Sequence, residues 1–70
     1  MADNAVGQPR YLERTFNRRK AIDEGKVVEL RDEMEAWANP LYDEGYTEIY
    51  WWMNPMDFHD TVTLRVQRPK

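Results

Sequence analysis

The sequence predicts an α+β fold in which one main amphipathic helix packs on a small antiparallel sheet. Three observations carry that expectation. Apolar residues fall at Val27, Leu30, Met34, Trp37 and Leu41, spaced three, four, three and four, which is the stripe of a helix. The stretch YTEIYWWM, residues 46–53, alternates with period two, and so does TVTLRVQ, residues 61–67. Only NPMDFHD separates the two alternating runs, so they read as a C-terminal hairpin.

In chain order, residues 1–9 are small and polar, with Gly7 and Pro9, and read as a flexible lead-in to a single small domain over 10–70. In RYLERTF, alternation sets Leu12, Arg14 and Phe16 on one face and Tyr11, Glu13 and Thr15 on the other. This segment is either a third, N-terminal strand or an arm folded over the core. Asn17 is placed to cap a short helix through RRKAIDE, although three cations in its first turn oppose the helix dipole. Gly25 ends that helix.

The main helix then spans 26–38, with the apolar stripe on one side and Glu29, Asp32, Glu33 and Glu35 facing solvent. Pro40 has no N–H to offer the Ala36 carbonyl, so a kink or break is expected there. A short turn, PLYDE, follows and Gly45 closes it. In the first hairpin strand, Thr47, Ile49, Trp51 and Met53 form one face; Tyr46, Glu48, Tyr50 and Trp52 form the other. In the second strand, Val62, Leu64 and Val66 stand beside Ile49, Trp51 and Met53, making the sheet face that the helix stripe covers. Within the connector, Asn54 and Pro55 suit a single helical turn.

Size and composition narrow the function. A chain of seventy residues buries only about 60% of its extended surface, so its own core is thin. With no cysteine there is no disulfide and no thiolate zinc site, which leaves a partner subunit as the way to enlarge that core. No apolar run approaches the roughly 18 residues of a membrane span, and MADNAVGQP lacks the order of a signal peptide, so a cytoplasmic protein without membrane contact is expected. There is no serine, no glycine-rich phosphate loop and a single histidine, His59, in DFHDT. No enzyme, cofactor or metal site is therefore expected.

The expected site is instead a surface. The outer hairpin face carries Tyr46, Tyr50 and Trp52 on one strand and Arg65 on the other, a composition suited to self-association or to anchoring another protein. The acidic helix, through Glu29, Asp32 and Glu33, adds attraction for a partner with a basic surface. In size and charge the chain resembles phage-encoded inhibitors of host DNA enzymes and DNA-mimic proteins, a resemblance of type that rests on no shared motif. What it implies is an acidic inhibitor of a nucleic-acid-binding protein. The competing signal is the basic segment Arg14, Arg18, Arg19 and Lys20, which would suit a small DNA-binding regulator. A basic run followed by acids also commonly pairs with them.

Overall fold

The segment RYLERTF is a strand. In the computed structural model, which describes residues 9–69, β1 (Tyr11–Asn17) leads into a short helix α1 (Arg18–Asp23) and the main helix α2 (Val27–Tyr42). β2 (Glu48–Met53), a 3-10 turn (Pro55–Asp57) and β3 (Thr61–Gln67) complete the chain. The expected lead-in lies outside the described residues except for Pro9. The strands are antiparallel in the order β1-β3-β2, so β3 is central and the N-terminal strand sits on its far side from β2.

The register sorts every strand residue to a face. Rows Leu12–Val66–Ile49, Arg14–Leu64–Trp51 and Phe16–Val62–Met53 form the inner face, on which both helices lie. Rows Tyr11–Gln67–Glu48, Glu13–Arg65–Tyr50 and Thr15–Thr63–Trp52 form the outer face. The core gathers Phe16, Ala38, Tyr46, Val62, Leu64 and Val66, with Leu12, Leu30, Met34, Trp37, Leu41 and Met53 packed around it. Phe16 meets Trp37 edge to face at a centroid distance of 6.3 Å.

Local chemistry sets the helix ends. The Asn17 side chain accepts from the Lys20 N–H at 3.0 Å and caps α1 as expected. Both helices then finish in the same way. Gly25 N–H donates to the Ile22 carbonyl and Lys26 N–H to the Ala21 carbonyl; Gly45 N–H donates to Tyr42 and Tyr46 N–H to Leu41. Each pair is a Schellman motif, and each glycine has the positive φ that the motif requires, 68° and 98°. The helix does not break at Pro40 but continues through it to Tyr42. Pro40 falls in the last turn, where few hydrogen bonds remain to be lost, and the Schellman closure captures the carbonyls just beyond it.

The largest departure from expectation concerns what α2 covers. Its two ends are tied to the two ends of β1. At one end α1 follows directly from Asn17. At the other, the buried Tyr46 donates its hydroxyl to the Pro9 carbonyl at 2.7 Å, and Arg68, lying over the Tyr46 ring, donates to the Glu44 carbonyl. The helix therefore runs back along β1 and covers the β1–β3 half of the sheet. β2 is left uncovered on its inner face, so Ile49 and Trp51 are exposed there and Trp51 retains 62% of its accessible surface.

Candidate interaction surfaces

The outer face is built around Arg65, midway along the central strand. Its Nε and Nη2 both reach Glu13 Oε2 across the β1–β3 pair, at 2.7 and 2.6 Å. The guanidinium lies over the Tyr11 ring at 4.1 Å and also faces Trp52 at 5.8 Å. Tyr50 stands in the same row as Arg65, and Thr15 and Thr63 share a hydroxyl hydrogen bond of 2.9 Å. None of the described elements folds over this face. Tyr50, Trp52 and Arg65 are thus brought together as expected, with Tyr11 and Glu13 added by β1.

Tyr46 is not part of this surface. It lies ahead of β2, is 2% exposed and belongs to the core. Strand alternation cannot be extended to it, because Tyr46 still takes part in the closing hydrogen bonds of α2. Its hydroxyl holds the Pro9 carbonyl and its ring lies under Arg68 at the end of α2, so it is a structural residue.

The acidic residues stand on the opposite side of the molecule from Trp52. Glu29 and Asp32 are exposed on α2, and no ion pair joins either to another described residue. Glu33 is drawn to Arg14 at 3.5 Å. The residues expected to form one partner site therefore occupy two surfaces, separated by the sheet and the helix layer.

The basic segment is dispersed. Arg14 projects from the inner face over the Phe16 ring at 4.8 Å and toward Glu33. Arg18 donates to the His59 carbonyl at 2.8 Å. Arg19 pairs with Asp60 at 3.1 Å and with Asp23 at 3.5 Å; the Asp60 hydrogen bond, then its charge, raises the Arg19 pKa further. Lys20 lines a hollow of about 350 Å³ together with Arg14, Lys26, Glu24, Glu29 and Glu33, three cations against three acids. This segment knits the fold more than it offers a continuous cationic strip.

Two surfaces were not legible in the sequence. The first is a groove of about 920 Å³ between α2 and β2, walled by Val27, Leu30, Met34 and Tyr42 on one side and by Ile49, Trp51 and Met53 on the other. The second is the β2–β3 connector, whose Met56 and Phe58 are each 87% exposed. Asp57 holds this connector, accepting from the Thr61 hydroxyl at 2.6 Å and from the Asp60 N–H at 3.0 Å. The Thr61 bond is the main reason its carboxyl lies below the ordinary carboxylate range. Asp57 and Asp60 are thus engaged in hydrogen bonds and an ion pair, and among the described residues no group of three His, Cys, Asp or Glu is gathered for a metal ion. Nor is any described helix long and apolar enough to cross a membrane. Comparison of the chain with protein-family models, with curated proteins and with solved structures gives no match.

Proposed function

We propose that this chain is a non-enzymatic protein–protein interaction module that binds another protein through its outer sheet face. The observation that carries the proposal is the group of Tyr11, Tyr50, Trp52 and Arg65 on a face that no described element covers. Tyr, Trp and Arg are the side chains that most often anchor an interface, since they bring large area with few rotors and a polar handle. Glu29 and Asp32, on the far side, add a negative potential that speeds encounter with a basic partner without touching it in the same patch. An acidic inhibitor of a basic, nucleic-acid-binding protein is the form of this function that suits the charge.

The DNA-binding alternative is weaker, because Arg14, Arg18 and Arg19 are each occupied by a carboxylate or a carbonyl within the fold. The deciding experiment is quantitative affinity capture on the immobilised full chain, beside Trp52→Ala, a Glu29→Lys/Asp32→Lys double variant and an Arg18→Ala/Arg19→Ala double variant. The expected result is a set of proteins lost with Trp52→Ala, reduced with the acid-to-lysine variant and retained with the arginine variant. Capture indifferent to the first two variants would sink the proposal. So would strongly salt-dependent binding of duplex DNA that the arginine variant weakens for every sequence.

A further inference from the structure

β2 differs from the other edge strand in how little protects it. β1 carries Glu13, Arg14 and Asn17 along its length, whereas β2 reads EIYWWM, with one charge at its first position. It holds no proline and no lysine, and its register with β3 runs unbroken from Glu48 to Met53. Edges in folded proteins are usually blunted by such devices, and a bare one invites another strand.

The hydrogen-bond phase shows what this edge presents. Asn54 N–H donates to the Thr61 carbonyl at 3.2 Å, so even-numbered residues of this strand turn their backbone groups toward β3. The backbone N–H and C=O groups of Ile49, Trp51 and Met53 consequently point to the open edge. These are the same three residues whose side chains line the groove beneath α2. One strand thus offers an unpaired ladder and an unfilled apolar wall together.

We propose that a second copy of this chain docks here, pairing β2 antiparallel with its own symmetry mate about a two-fold axis at Trp51. The two sheets then join into one of six strands, in the order β1-β3-β2-β2-β3-β1. Residues opposed across an antiparallel pair share a face, so the axis must lie on a residue and not between two. An axis at Trp51 sets Ile49 against Met53 of the second copy and Trp51 against its counterpart on the inner face. On the outer face it pairs Tyr50 with Trp52 of the second copy. An axis at Tyr50 would instead oppose Met53 to Thr47, outside the strand.

Charge favours a copy of the same chain as occupant. The lip of the groove carries Arg31 and Glu35, one turn apart on α2, so a two-fold axis that passes between them sets each against its opposite charge in the second copy. Glu48 sits three positions from the axis, so the two Glu48 side chains are kept about 20 Å apart along the ladder. The outer face is a poorer self-interface, because its centre is an Arg65–Glu13 pair already satisfied within one chain. The proposal goes beyond hetero-partner binding and needs no other protein, so either can fail without the other.

Sedimentation equilibrium of the full chain, from micromolar to sub-millimolar concentration, tests it. A dimer is expected, with Trp51→Lys raising its dissociation constant about tenfold or more and Tyr11→Ala, on the outer face, leaving it unchanged. A monomer throughout overturns the proposal, as does a dimer lost with Tyr11→Ala but kept with Trp51→Lys. Should Trp51→Lys fail to fold by circular dichroism, Trp51→Cys decides. The chain has no other cysteine, and opposed Cα atoms at about 5.5 Å fall within disulfide reach. Rapid intermolecular oxidation is expected there and not with Val28→Cys on the exposed helix; equal rates would refute the pairing.

Discussion

Phe58 and His59 both stand at positive φ, 58° and 66°, in a turn closed by the Asp60 N–H on the Asp57 carbonyl at 3.1 Å. Two consecutive left-handed residues make a type I′ turn, which favours Asn-Gly and penalises side chains that crowd the following carbonyl. The surroundings hold the turn regardless. Asn54 accepts from the Met56 N–H, Asp57 grips Asp60 and Thr61, and Arg18 donates to the His59 carbonyl. Phe58 adds nothing to the core in return, since its ring lies in solvent. Replacing the pair by Asn-Gly should therefore relieve strain and stabilise the protein by about 1–2 kcal/mol, read as a higher urea midpoint at unchanged slope. A lower midpoint would mean that the Phe58 ring contributes to the fold.

At the scale of elements, the two Schellman motifs make a cleaner test of the same physics. A Cβ on Gly25 would meet nothing within 4 Å, and one on Gly45 would meet only the Arg68 guanidinium at 3.7 Å, an ordinary contact. Substitution by alanine is then penalised by the backbone dihedral and not by a clash. Gly25→Ala and Gly45→Ala should each lower stability by about 1 kcal/mol in chemical denaturation. A much larger loss at Gly45 alone would show that Tyr46, the next residue and part of the same helix closure, moves with it. Both glycines were legible in the sequence as helix ends, as were Asn17 as a cap, the helix stripe and the pairing of Ile49, Trp51 and Met53 with the central strand. The placement of α2 across the sheet was not. It depends on the Tyr46 hydroxyl meeting the Pro9 carbonyl, a contact between residues 37 apart that no local pattern encodes. The same contact removed Tyr46 from the expected partner site, and the displaced helix left Trp51 more open than Trp52. Periodicity assigns a side chain to a face; it does not say whether anything covers that face.

Over the whole molecule, the basic segment and the acidic middle of the chain are folded against each other, which turns a sequence-level charge pattern into cross-links. Arg14 reaches Glu33 on α2, Arg19 reaches Asp60 just ahead of β3, and Arg18 reaches the strained turn at His59. The last of these matters most for stability. It satisfies a carbonyl in a turn that is unfavourable by itself, and a hydrogen bond from a charged donor is worth more than a neutral one. Arg18→Ala should therefore lower stability by about 1 kcal/mol and speed amide exchange at residues 54–60. Arg19→Ala should act in the same direction with a smaller effect that added salt removes, because an exposed ion pair is screened. If the segment existed instead to hold phosphates, neither variant would change the urea midpoint and both would lower affinity for duplex DNA. Unfolding curves and DNA titrations on the same two variants separate these outcomes, since one role is read in the protein alone and the other only with nucleic acid present.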